Sequence, residues 1–145
     1  MKHKGSICDY VEERNRDLLR AFHEVIASGA HPSVPDIYRA TANSPASRFW
    51  VSEERAAVVL TLMFNKRKLP KMIKSKREMF NEIYRRAVKL KAKNPDMTML
   101  ELATNVVHQP APKFYLTGGS TKVIITYAKK KWYEERRKKL KHLFY

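Results

Sequence analysis

The chain has 145 residues, which fits one domain or two small units that share a core. It carries 30 Lys+Arg against 14 Asp+Glu, for a formal net charge of +16, and this excess favours polyanionic partners such as DNA or RNA. A single cysteine excludes an internal disulfide framework and a multi-cysteine zinc site. No apolar run approaches the ~18 residues of a membrane span, so we expect a non-secreted protein that needs no membrane.

Two segments carry almost the same sequence at a constant offset of 65 residues. They are PASRFWVSEERAAVVL at 45–60 and PAPKFYLTGGSTKVII at 110–125. Four aligned pairs are identical and most of the others keep their chemistry; the identical pairs are Pro45/Pro110, Ala46/Ala111, Phe49/Phe114 and Val58/Val123. Order and spacing preserved in this way indicate an internal duplication.

Three helices are predicted in the first copy. Apolar residues recur at helical spacing before Gly29, at Leu18, Phe22, Val25 and Ile26. The pattern Ser33-x-x-Asp36 is typical of a capping box and opens a second helix near 34–43. Ser52 is a good N-cap for a third helix.

The second copy repeats this order. A first helix carries Phe80, Ile83, Tyr84, Ala87 and Leu90, and Thr98-x-x-Glu101 opens a second helix near 99–108. The third follows Thr117 and has no breaker, so we predict that it runs to the C-terminus and packs back across the first copy. Its apolar stripe is Ile125, Ala128, Trp132, Leu140, Leu143 and Phe144.

The predicted fold is all-α, with two tandem three-helix, helix-turn-helix-like repeats and a long C-terminal helix. Repeat 1 spans 1–65 and is neutral, with eight basic and eight acidic residues. A basic linker follows at 66–77, and repeat 2 spans 78–145. Residues 66–145 contain 22 basic and 6 acidic side chains, and therefore all of the net charge.

The succession of a supporting helix, a capped short helix and a third helix opened by Ser52 or Thr117 resembles tandem DNA-binding domains of the homeodomain and Myb kind. The connection from about Asn43 to Ser52 is longer than the three or four residues usual in that motif. The phrases RFWVSEERAA and KWYEERRKKL are also similar to short basic proteins of gut bacterial phages and mobile elements, a resemblance that implies no function.

The candidate nucleic-acid-binding residues fall in three groups. Glycines and hydroxyls at the start of the last helix expose backbone N–H groups to a phosphate, whereas Glu53 and Glu54 at the equivalent start would repel one. The basic runs supply phosphate contacts whose affinity depends on salt, and Lys113 lies beside an aromatic pair. The full set is Lys66, Arg67, Lys68, Lys113, Thr117, Gly118, Gly119, Ser120, Lys122, Lys129, Lys130, Lys131, Arg136 and Arg137.

The aromatic pairs Phe49-Trp50 and Phe114-Tyr115 are predicted to belong to the core, because they recur in both copies despite the different charge. Catalysis has little support, since the five histidines are scattered and no phosphate loop or nucleophile elbow occurs. We therefore expect a non-enzymatic protein without cofactor, metal or small-molecule substrate.

The leading functional hypothesis is binding of double-stranded DNA through repeat 2, with RNA as a further possibility and repeat 1 as a scaffold or a surface for a protein partner or self-association. The alternative is a structural component of a virion or nucleoprotein assembly that contacts genome or an acidic neighbour, which the C-terminal aromatics Phe144 and Tyr145 also suit. The corresponding locations are the nucleoid-associated cytoplasm or a virion.

Overall fold

The computed structural model describes residues 4–31 and 33–144, and side chains within 10–31 and 33–143. Tyr145 and the side chains of Cys8 and Phe144 therefore lie outside the described residues. The described chain is all-helical, as predicted, and contains no strand in these ranges. Its six helices are α1 (Lys4–Ser28), α2 (Val34–Ala42), α3 (Glu53–Phe64), α4 (Lys74–Lys93), α5 (Met99–Val107) and α6 (Gly118–Phe144).

The starts of α2, α3, α5 and α6 follow the predicted caps, whereas α4 begins after Ile73 without a side-chain cap. Thr98 forms a complete capping box with Glu101, whose carboxylate accepts from the Thr98 backbone N–H at 2.9 Å. Ser33 also caps α2 by accepting from the Asp36 N–H, but the Asp36 carboxylate accepts from the Ser33 hydroxyl instead of the Ser33 backbone. Aspartate is one methylene shorter than glutamate, so its carboxylate cannot reach back as far.

The third helix of each predicted copy packs on the first two helices of the other copy. α6 contacts α1 and α2, whereas α3 contacts α4 and α5. Among the described residues, no Cα atom of α3 comes within 8 Å of α1 or α2, and none of α6 within 8 Å of α4 or α5. We call α1, α2 and α6 the terminal unit, and α3, α4 and α5 the central unit.

Two connections, 43–52 and 108–117, carry the chain between these units and cross each other. Ala46 and Ala111 exchange both backbone hydrogen bonds at 3.0 Å. The Phe49 N–H donates to the Val107 carbonyl at 2.9 Å, and the Phe114 N–H donates to the Ala42 carbonyl at 3.0 Å. Every one of these bonds recurs at the 65-residue offset, so the crossing has an approximate two-fold symmetry.

This packing differs from the chain order expected for consecutive three-helix repeats. A ten-residue connection can reach up to roughly 33 Å when extended, so 43–52 is long enough to carry α3 away from α2. The segment 66–77 joins α3 to α4 within the central unit, and its last four residues, from Lys74, already belong to α4.

The aromatic pairs lie in the core, as predicted. Phe49 is fully buried, Trp50, Phe114 and Tyr115 are buried too, and the rings of Phe49 and Tyr115 stack with their centroids 6.1 Å apart. One core cluster contains residues of both units, among them Leu18, Leu60, Ile83 and Ile125. The two units therefore share one interior.

Some predicted core positions are exposed instead. Ile26, in the last turn of α1, is 49% exposed. Trp132, Leu140 and Leu143 continue the apolar stripe of α6, but they are exposed, and Leu143 reaches 75%. Among the described side chains of α6, the fully buried ones are Thr121 and Ile125, so the helix is buried against α1 and α2 along its first half.

Candidate nucleic-acid interface

The start of α6 rests on α2. The Ser120 N–H donates to the Thr117 hydroxyl at 3.0 Å, which caps the helix. A Cβ atom added at Gly118 would lie 3.3 Å from Cγ of Arg39, so a glycine lets α6 approach α2 closely here. A Cβ atom at Gly119 would meet nothing within 4 Å. Gly119, Ser120 and Lys122 are exposed, and they give this helix end an open, uncrowded surface.

The equivalent start of α3 has a different chemistry. Glu53 and Glu54 stand at the positions of Gly118 and Gly119, and Glu53 Oε2 lies 2.7 Å from Nε2 of His108. Burial raises the pKa of Glu53, but its own backbone N–H and His108 outweigh this, so the net shift is downwards. A carboxylate held ionised at this end repels an anion such as phosphate.

The predicted lysines Lys129, Lys130 and Lys131 face three environments. Lys129 places its Nζ 4.4 Å from the centroid of the Phe22 ring, and the Lys131 ammonium donates to Glu12 at 2.8 Å. These two contacts stabilise the packing of α6 on α1. Lys130 is exposed and forms no ion pair with a described carboxylate. Of this triplet, Lys130 is therefore the residue best placed to meet an external anion.

The other predicted residues divide between the two units. Arg136 lies over the Trp132 ring at 5.3 Å, and Arg137 is exposed further along α6. Lys66, Arg67 and Lys68 form the exposed turn after α3, where Lys66 has a φ of 55°. Lys113 is half-buried, with its Nζ 3.4 Å from Glu78 Oε1 and 5.3 Å from the Tyr115 ring centroid, so its charge is paired within the molecule.

Helix α4 adds basic residues that the sequence analysis did not single out. It carries eight basic and two acidic side chains, and Arg77, Lys89 and Lys93 are exposed. The signal lies in the composition of this helix, whose basic residues are interspersed with apolar ones and so do not form one continuous basic run. Burial lowers the pKa of Lys76, and nearby Arg14 lowers it further.

Few of these charges are neutralised within the molecule. Of the 22 basic side chains in 66–145, four form an ion pair with a described carboxylate: Arg85, Arg86, Lys113 and Lys131. α6 alone has nine basic and two acidic residues, while α3 has one basic and two acidic. α1 and α2 together contain five basic and six acidic residues, so the nine basic residues of α6 leave the terminal unit with a net positive charge, as α4 does for the central unit.

Other kinds of site are not evident in the described part of the chain. No three His, Cys, Asp or Glu side chains of the described residues come together as a metal site. None of the described helices combines the length and apolar character needed to cross a lipid bilayer. Comparison with known proteins finds no family model, curated protein or solved structure that matches this chain.

Proposed function

We propose that this protein binds double-stranded DNA without catalysing a reaction, chiefly through the exposed face of α6. The observation that carries the proposal is the large set of basic side chains in 66–145 that no described carboxylate neutralises. When such side chains bind DNA phosphates, they displace the counterions condensed on the DNA, and the binding is therefore strong and dependent on salt. Lys122, Lys130 and Arg137 supply the contacts from α6, and the 66–68 turn supplies contacts from the central unit.

We further propose that the chain consists of two duplicated repeats that exchange their third helices. The recurrence of the crossing hydrogen bonds at the 65-residue offset supports this. In this interpretation the helix-turn-helix-like pairs are α2 with α6 and α5 with α3, rather than α2 with α3. The α2–α6 pair is the DNA-binding one, because its third helix begins with Gly118 and Gly119 instead of Glu53 and Glu54.

The test is fluorescence anisotropy of the full chain with labelled duplex DNA, single-stranded DNA and RNA over a range of salt. Lys130→Glu and Arg137→Glu should weaken duplex binding, and each lost phosphate contact should reduce the salt slope by about one. Arg55→Glu is the matched control, since Arg55 is also exposed but lies on α3. Equal affinity of the α6 variants and the parent chain would contradict the proposal.

A second candidate function is a structural role in a virion or nucleoprotein assembly. The last third of α6 favours it, because Leu140 and Leu143 are 44% and 75% exposed there beside basic residues. Such a surface suits contact with a neighbouring subunit. Sedimentation of the protein with assembled particles, together with weak binding to free duplex, would favour this function over the first.

A further inference from the structure

Helix α6 presents a solvent-facing stripe along its first half, opposite its buried face. The stripe follows helical spacing through Ser120, Val123 and Tyr127, and Lys130 lies one turn beyond Tyr127; all four are exposed. Val123 is 68% and Tyr127 58% exposed. Thr121 and Ile125, on the other side of the same turns, are fully buried against the protein. This part of α6 is thus anchored on one side and open on the other.

The chemistry of the stripe is mixed rather than wholly charged. A hydroxyl at Ser120, an isopropyl group at Val123 and a phenol at Tyr127 stand in line, with the exposed lysines Lys122 and Lys130 beside them. Lysines bind phosphates, and hydroxyl and apolar groups are among those that contact base edges. The major groove of B-DNA is about 12 Å wide and admits an α-helix, whereas the deep major groove of A-form RNA does not.

We propose that this stripe reads base edges in the major groove of duplex DNA, with Val123 against the 5-methyl group of thymine. The inference rests on the proposed function, and it adds direct sequence readout to phosphate binding. The nine basic residues of α6 favour a polyanion such as DNA as the partner. The exposed side chain of Val123 favours contact with an apolar group of that DNA.

The chain offers a matched comparison on α3. Val58 is the equivalent of Val123 and is 53% exposed, but Glu54 precedes it by one turn where α6 has Gly119. The carboxylates of Glu53 and Glu54 keep DNA phosphates away from that helix. Both valines are therefore exposed and occupy equivalent positions, but of the two only Val123 lies on a surface that an anion can approach.

The test begins with selection of preferred sequences from a random duplex library by the full-length protein. The selected duplex is then compared with copies in which each thymine in turn is replaced by deoxyuridine, which lacks the methyl group. Loss of the contacted methyl should weaken binding about fourfold. Val123→Ala should bind the thymine and uracil duplexes equally, while Val58→Ala keeps the parent's discrimination and Lys130→Glu weakens both duplexes alike. Thermal melts of the variants check that each is folded.

Each failure has a separate meaning. Duplex binding without any enriched sequence, or thymine discrimination that survives in Val123→Ala, overturns the inference and leaves the proposed function standing. Absence of duplex binding by the parent chain at low salt overturns the proposed function, and the inference with it. Loss of discrimination in Val58→Ala as well would assign the effect to both third helices and would overturn the role of the α6 stripe.

Discussion

Asp17 ties α1 to the connection that crosses between the units. Its carboxylate accepts from the Ser47 backbone N–H at 2.8 Å, the Ser47 hydroxyl at 2.9 Å and the Trp50 indole N–H at 2.9 Å, and it pairs with Arg20 at 2.8 Å. At the 65-residue offset, Glu82 is the equivalent of Asp17. Hydrogen bonds from Arg85 and, to a lesser extent, Arg86 lower the pKa of Glu82 to about 2. Arg20 and Arg86 also donate to the carbonyls of Pro45 and Pro110.

Substitution Asp17→Asn should lower the free energy of unfolding by about 2–3 kcal/mol, because an amide replaces a buried, charged acceptor of several hydrogen bonds. Urea denaturation measures this. Glu24→Gln is the control: it removes the other ion pair of Arg20, but Glu24 is 64% exposed, so the cost should stay below about 1 kcal/mol. Equal costs for the two substitutions would contradict the assigned role.

The same contact predicts acid sensitivity. Burial raises the pKa of Asp17, but hydrogen bonds from Ser47, Arg20 and Trp50 outweigh this and leave it below the ordinary value of 3.8. A lowered pKa in the folded state contributes stability above the unfolded value, and that stability is lost as the pH falls through the folded value. The loss in unfolding free energy below pH 3.8 should therefore be smaller in Asp17→Asn than in the parent.

At the scale of elements, local sequence predicts where helices begin and which face they bury. Ser33, Ser52, Thr98 and Thr117 cap their helices, and the unbroken pattern after Thr117 forms one helix to Phe144. Exposure of Trp132 and Leu143 was not predictable in this way. Periodicity shows that a face is apolar, but not how far the neighbouring helix extends to cover it.

The two glycines of α6 should differ in their response to alanine. Gly119→Ala should raise the free energy of unfolding by up to about 1 kcal/mol, because its Cβ enters open space and the unfolded chain loses freedom. Gly118→Ala should gain less, since its Cβ would lie 3.3 Å from Arg39 Cγ. Denaturant unfolding measures both, and Gly118→Ala should recover the difference when it is compared with Arg39→Ala alone, a background that already lacks the Arg39–Asp36 ion pair. A gain at Gly118 equal to that at Gly119 would show that the close approach costs nothing.

At the scale of the whole molecule, each three-helix unit takes helices from both halves of the sequence. The charge asymmetry between 1–65 and 66–145 therefore does not correspond to a neutral body and a basic body. α6, with nine basic residues, packs on α1 and α2, whereas α3, which begins with two acidic residues, packs on the basic helix α4. The charge of each residue follows from the sequence, but which charged residues share a surface depends on how the helices pack.

Fragments 1–65 and 66–145 should each fold poorly alone, because α1 and α2 lose the cover of α6 and α3 loses α4 and α5. An equimolar mixture should recover the far-ultraviolet circular dichroism of the intact chain and a single thermal transition. Residues such as Phe49 and Ile125, buried in one shared cluster, supply the driving force. Cooperative unfolding of fragment 1–65 by itself would contradict this dependence.

The sequence by itself determined the helices, their caps, the burial of Phe49 and Phe114, and the excess of positive charge, since these follow from local backbone preferences and from the spacing of apolar residues. The tertiary structure alone decided which third helix packs on which pair, and so which basic residues share a surface. The two halves have closely similar apolar faces, so the local pattern does not distinguish one acceptor from the other. The backbone pairing of Ala46 with Ala111 and the bonds from Phe49 and Phe114 accompany that choice, and they join residues 58 to 72 positions apart, which no local pattern can specify.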